Sequence, residues 1–384
     1  MSDVLKKALA DAIDTTRRNI PAFADRYPDD TTVNNWYPPR PARDGFPQGA
    51  NEGWTTSFIP GCQWLAWEMT GDNAFRQAAQ AHAKDFARRV HKGEGLATHD
   101  LGFLYTLSSV TPWRLTGSQE DKNAALAAAD ALMVRFLEPA GIIQAWGDLV
   151  DPAERGRTII DSLMNMPLLT WASQQTGDQK YADAVRRHTA QLAQHIIRAD
   201  NTTFHTFWWD PSTGEPLKGT TAQGYADDSC WARGQAWGIY GFALNYEATG
   251  NPDLLVAARR CADYFLAHLP ADGVPFWDLV FNDGDDQPRD SSSAAIAACG
   301  LHQLASLETD PRLADRYRAA GQAMIEAVTA YSPQGEGVES DALLLHSVYN
   351  LNKNEGVDEG SLWGDYFYME ALVRHLNPRW KRYW

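Results

Sequence analysis

Two carboxylates stand out for where they sit. Asp161 lies inside "TIIDSLMNMPLL" (158–169), a run that is otherwise almost wholly apolar, and Asp100 closes the phrase "THD" ahead of "LGF". An acid among isoleucines and leucines is costly to ionise, so it either has a partner or is kept as a proton donor. Around the same kinds of position stand His99, His205, Gln223 and Arg233, with Trp54, Trp146, Trp231 and Trp237. Paired carboxyls suit general acid/base work, tryptophans offer flat faces to sugar rings, and an arginine recognises a carboxylate. There is no H-E-x-x-H, no C-x-x-C and no G-x-S-x-G, so metal, redox and serine-nucleophile chemistry have no sequence support and no metal or cofactor is expected.

Each residue also has a plainer reading. Asp100 could cap a helix, and Asp161 three residues after Thr158 resembles a capping box. Arg233 could pair with Asp227 or Asp228. Trp231 and Trp237 could fill a core, His205 could be a hydrogen-bonded structural histidine, and "RDSSSA" could be only an N-cap. Trp363 and Asp365 are read as structural. Convergence of these groups on one rim favours a carbohydrate site over independent caps.

That convergence depends on the elements. A Gly-polar turn recurs in "MTGDNAFRQAA", "LTGSQEDKNAALAAAD", "QTGDQKYADAV" and "ATGNPDLLVAARR", with "ETDPRLADRYRAAG" a variant. Each ends one helix at glycine or, in the variant, at a polar turn, and opens the next on a cap residue. Helices after the turn are amphipathic; those before it are apolar nearly all round, as in "WARGQAWGIYGFALNY", and so must be buried on every face. Six inner helices are expected near 55, 100, 158, 230, 291 and 361, and six outer ones near 3, 73, 119, 179, 252 and 311. This is an all-α, six-hairpin (α/α)6 barrel, a single domain over 1–384. Strand is expected only as short pieces within 200–229. The long connections 27–54, 139–157, 200–229, 271–290 and 332–360 meet where the inner helices begin, which places the site there.

The 384-residue chain carries a formal charge of −15. An acidic surface disfavours nucleic acid and anionic membranes, and an acidic substrate would need local cations at its site. Four dispersed cysteines suggest neither a zinc cage nor a disulfide framework. With no signal peptide and no apolar run of membrane length, a cytoplasmic monomer or homodimer is expected.

The phrases "THD-x-GF", "IID-x-L-x-N-x-P-LL", "GIIQAWG", "HTF", "QG", "W-x-RGQAWGIYGFAL", "PRDSSSAAI" and "WGDYFYMEAL", running from Trp54 to Leu376, resemble the unsaturated glucuronyl hydrolases of glycoside hydrolase family 88. The resemblance implies the same α/α barrel. It implies release of a 4,5-unsaturated uronic acid from lyase-generated oligosaccharides by hydration of its C4=C5 vinyl ether. Asp161 would then be the general acid/base and Asp100 the supporting carboxylate. Trp54, Trp146, Trp231 and Trp237 would be stacking walls, and His99, His205, Gln223 and Arg233 polar contacts. A related unsaturated rhamnogalacturonyl hydrolase, a non-catalytic sugar-binding barrel and an epimerase using His99 and His205 are the competing readings. Ala222 stands where the family often has a basic side chain. With the acidic, Asn/Ser-rich loop 332–360, it points to a preference for unsulfated substrates.

Overall fold

The computed structural model describes residues 3–43 and 45–384. Its helices are α1 (Asp3–Asn19), α2 (Phe58–Thr70), α3 (Asn73–Lys92), α4 (Leu101–Tyr105), α5 (Thr111–Thr116), α6 (Gln119–Met133), α7 (Met166–Thr176), α8 (Gln179–His195), α9 (Ala232–Thr249), α10 (Pro252–Ala267), α11 (Ser291–Leu307), α12 (Pro311–Val328), α13 (Pro333–Glu336) and α14 (Leu362–Leu376). The apolar helices α2, α4, α7, α9, α11 and α14 form the inner ring. Contacts run from α2 through the segment after α4 to α7 and its leading turn, then to α9, α11, α14 and back to α2. Helices α1, α3, α6, α8, α10 and α12 pack outside them, so every start expected for the outer ring is met within the described residues.

The recurring turns behave as their chemistry requires. Gly71, Gly117, Gly177 and Gly250 each take a left-handed φ of 71–76° at the end of an inner helix. Asp72, Ser118, Asp178 and Asn251 then cap the outer helix, each accepting a backbone N–H through its side chain. The residue after a helix must turn left-handed to release the chain, which glycine does without strain.

Two inner helices are less regular than their apolar composition suggests. Between α4 and α5, Thr106–Val110 widens to a π-helical turn. Pro112 follows it; proline has no N–H and its ring crowds the carbonyl four residues back, so the wider turn absorbs the misfit. The start expected at Thr158 is also corrected. Arg157–Ile159 is a strand, Ile160–Met164 a 3₁₀ turn, and the α-helix begins only at Met166 with Pro167 in its first turn.

Strand is more widespread than expected, although each piece is short. β1 (Phe136–Leu137) pairs with β2 (Ile142–Ile143); β3 (Arg157–Ile159), β4 (Thr206–Trp209) and β5 (Pro216–Thr220) form one antiparallel sheet; β6 (Ser347–Asn350) pairs with β7 (Glu355–Glu359). Only β4 and β5 lie in the stretch where strand was expected. The sheets stiffen the loops above the inner-helix N-termini. No described helix is long and apolar enough to cross a membrane, and all four cysteines are free and buried.

Candidate active site

A cavity of about 280 Å³ opens at the N-terminal ends of the inner helices. It is lined by Trp54, His99, Asp100, Trp146, Asp161, His205, Ala222, Gln223 and Arg233, joined by Ile159, Tyr349, Asn350, Lys353 and Glu355. Eight of the ten residues singled out from sequence therefore meet in one place. A larger cavity of about 1280 Å³ lies at the other end of the barrel, around Arg114, Arg374 and the C-terminal residues, but the only carboxylate side chain lining it is Glu68. A further cavity of about 640 Å³ is lined by Asp25, Asp85 and Glu94, so what marks the mouth is a buried, partnerless carboxyl oxygen on Asp161 beside a second acid.

Asp161 sits in the 3₁₀ turn, 8% exposed, and its Oδ1 is buried without a hydrogen-bond partner. Burial pushes its carboxyl up to about 7; the positive charge of Arg233 opposes this and the negative charge of Asp100 adds to it. The capping-box reading is overturned. Thr158 lies in β3 and its hydroxyl donates to Ser162 Oγ at 3.2 Å, not to a helix start. Ser162 in turn is held at 2.7 Å by His188 of α8, whose Nδ1 accepts the Ile143 N–H at 3.0 Å, so the turn beneath Asp161 is anchored to the outer ring.

Asp100 directly precedes α4 but does not cap it. Its Oδ2 accepts from Thr98 Oγ1 at 2.7 Å and its Oδ1 lies 3.3 Å from His99 Nε2. Burial lowers the pKa of His99, with Asp100 pulling the other way. His205, immediately before β4, is driven down to about 3 chiefly by burial and is neutral. The Ala222 N–H donates to its Nδ1 at 3.3 Å, which assigns the ring proton to Nε2.

Arg233, in the first turn of α9, is buried and committed differently from expectation. It donates to the carbonyls of Val348 at 2.5 Å and Tyr349 at 2.8 Å and lies 3.6 Å from Asp290, not beside Asp227 or Asp228. Its guanidinium lies over Trp231 (4.6 Å) and Trp363 (4.8 Å). It thus pins β6 above the mouth and supplies positive charge to an acidic protein's cavity. Gln223 binds the same carbonyl of Tyr349 at 3.2 Å.

The tryptophans divide. Trp54 lines the mouth, donating from Nε1 to Tyr349 Oη at 3.0 Å and stacking on Trp363 at 5.4 Å and 26°. Trp146 faces the cavity with Arg157 over its ring at 4.7 Å. Trp231 is buried behind the wall, edge-on to His205 at 5.0 Å. Trp237 as a stacking wall is corrected: it is fully buried against Phe103 and Phe367, with ring centroids 5.3 and 5.2 Å away. Asp365 is structural, accepting from Leu343 N, Leu344 N and Tyr37 Oη, and burial lifts its carboxyl to about 8. Sequence reasoning missed Tyr349, Asn350, Lys353 and Glu355. They lie in loop 332–360, and its bulk composition hid what the β6–β7 hairpin puts at the mouth.

The model of Glycosyl Hydrolase Family 88 matches residues 29–343. An unsaturated chondroitin disaccharide hydrolase of Streptococcus pyogenes serotype M1 is 44% identical over 382 residues, covering 99% of this chain and 93% of its own. An unsaturated glucuronyl hydrolase of Bacillus sp. strain GL1 is 41% identical, covering 96% of each. The crystal structure of unsaturated glucuronyl hydrolase from Streptococcus agalactiae superposes with a TM-score of 0.93 at 41% identity, over 99% of this chain and 94% of that one. The buried acid pair at the mouth of an α/α barrel and these full-length likenesses agree: the chain belongs to glycosyl hydrolase family 88 and is a glycoside hydrolase.

Proposed function

We propose that this chain hydrolyses unsaturated uronyl oligosaccharides, the products of polysaccharide lyases, with Asp161 as general acid/base and Asp100 as its supporting carboxylate. The observation that carries the reading is Asp161 itself, a carboxyl at the cavity wall, pushed up to about 7 by burial, with an unpartnered oxygen. Such a group still holds a proton near neutrality and has no internal acceptor for it. A 4,5-unsaturated uronide offers an electron-rich C4 as that acceptor. Asp161 gives its proton to C4, and water adds its oxygen at C5. The spent carboxylate takes the water's other proton, restoring the acid. The hemiketal at C5 then opens to a ketone, leaving a hemiacetal at C1 whose collapse to an aldehyde frees the second sugar and leaves a keto acid.

The surrounding groups suit this substrate. Trp54 and Trp146 supply faces for two rings, and the buried cation of Arg233 offsets the uronate carboxylate. Neutral His205 carries its ring proton on Nε2, a donor placed beside the Gln223 side chain. Ala222 offers the second sugar no polar side chain, while Lys353 brings an ammonium to the rim, so the two pull sulfate tolerance in opposite directions. The test is incubation with unsaturated chondroitin or hyaluronan disaccharides while following the ultraviolet absorbance of the ring double bond. Absorbance is expected to fall with wild type. It is expected to stay constant with Asp161→Asn, which still binds but cannot deliver a proton. Full activity in that variant would remove Asp161 from the role.

A further inference from the structure

Asn165 has no task in the proton chemistry, and any role for it near the acids rests on Asp161 and Asp100 being the catalytic pair. Asn165 is fully buried where the 3₁₀ turn bearing Asp161 gives way to α7. Its Oδ1 accepts the Phe103 backbone N–H at 2.8 Å. Phe103 is the third residue of α4, and an N–H at that position has no acceptor within its own helix. The usual acceptor is the side chain of the preceding cap residue, here Asp100. Asn165 takes the donor instead, and the Asp100 carboxylate turns to Thr98 Oγ1 at 2.7 Å and to the cavity. The approach is backbone to backbone: a Cβ on Gly102 would lie 2.2 Å from Asn165 Cα and 2.4 Å from its carbonyl oxygen. Asn165 Nδ2 is buried without a partner, so the acceptor end is the part of the amide that this contact uses.

We propose that Asn165 is a positioning residue: by capping α4 from the neighbouring element it frees the Asp100 carboxylate from its own helix and fixes its distance from Asp161. The charges that act on Asp161 are those of Arg233 of α9 and Asp100 ahead of α4; His99 ahead of α4, His205 just before β4, and Lys353 and Glu355 of the β6–β7 hairpin line the same cavity. Of these, Asp100 is the one whose alternative partner, the Phe103 N–H, is released when Asn165 is removed.

The test compares Asn165→Ala with Asn165→Asp, which keeps an acceptor of the same shape. In Asn165→Ala, Asp100 is expected to swing back to cap α4, and Asp161 to lose the neighbour that helps hold its proton. The kcat should fall by a factor of about 30 or more with KM little changed, and the alkaline limb of kcat should move to lower pH. Asn165→Asp should recover most of the rate. A second readout needs no turnover: ¹³C NMR titration of the Asp161 carboxyl, assigned by its loss in Asp161→Asn, should show a lower pKa in Asn165→Ala than in wild type. Should Asn165→Ala not fold, Asn165→Ser, whose hydroxyl stops short of Phe103, carries the same expectations. A folded variant lacking the amide with an unshifted Asp161 titration would overturn the proposal. Wild type inert toward every unsaturated uronide would overturn the hydrolase reading alone, and the NMR titration would still decide the role of Asn165.

Discussion

At the scale of single residues, the protein's central device is a carboxyl that ionises reluctantly. On the proposed role Asp161 starts the reaction as an acid, so kcat/KM should fall as pH rises through about 7, the value to which burial lifts it in the free protein. Asp100→Asn removes the negative neighbour that adds to this lift, and the alkaline limb should move to lower pH; a pH–rate profile of both proteins checks it. The same carboxyl costs stability. Its folded pKa lies above its unfolded one, so the native state holds a proton that the unfolded chain releases between about pH 4 and 7. Wild-type stability should therefore decline across that window. Asp161→Asn should match wild type below about pH 4 and exceed it by about 2–4 kcal/mol above pH 7, measured by denaturant unfolding at each pH. Asp161 was legible because an acid in an apolar run is too costly to keep unless it is paired or used. Trp237 was misread for an equally physical reason. Four residues past Arg233 it lies on the same helix face, but about 6 Å deeper, below the floor of the mouth.

At the scale of elements, the outer ring was legible because glycine followed by Asp, Asn or Ser is a strong local signal that needs no tertiary context. The first turns of the inner helices were not. Ile159 and Ile160 fit a strand or a buried helix equally well by pattern, and only pairing with β4 settles Arg157–Ile159 as strand. Likewise the β6–β7 hairpin is invisible in a loop of polar composition, yet it delivers Tyr349, Lys353 and Glu355 to the cavity. Gly102 shows how tightly two elements can be coupled. Gly102→Ala should force α4 and the turn before α7 apart, costing about 1–3 kcal/mol and a large part of kcat. The combined loss distinguishes it from Trp237→Phe, a change within the core that should lower thermal stability with little effect on kcat.

At the scale of the whole molecule, the ring is closed from within. Phe103, at the start of the α4 hairpin, touches Trp54, Trp237 and Trp384, so the mouth, the core and the C-terminal residue share one aromatic hub. Trp384 is buried against Phe367 and donates to Glu370 Oε2 at 2.8 Å. Trp384→Ala should lower unfolding free energy by about 3–5 kcal/mol while leaving KM near its wild-type value, as calorimetry and steady-state kinetics would show. The charge of −15 makes the local cations informative: Arg233 is buried at the mouth of a protein whose charge otherwise repels a uronate. Protonation of C4 of such a uronide by Asp161 is tested most directly by turnover of an unsaturated disaccharide in D₂O followed by ¹H NMR. The prediction is that the vinylic C4 proton signal disappears in step with release of the second sugar, leaving one deuterium at C4 in a single configuration, and that neither happens with Asp161→Asn. Release of a sugar that still carries its double bond would contradict it.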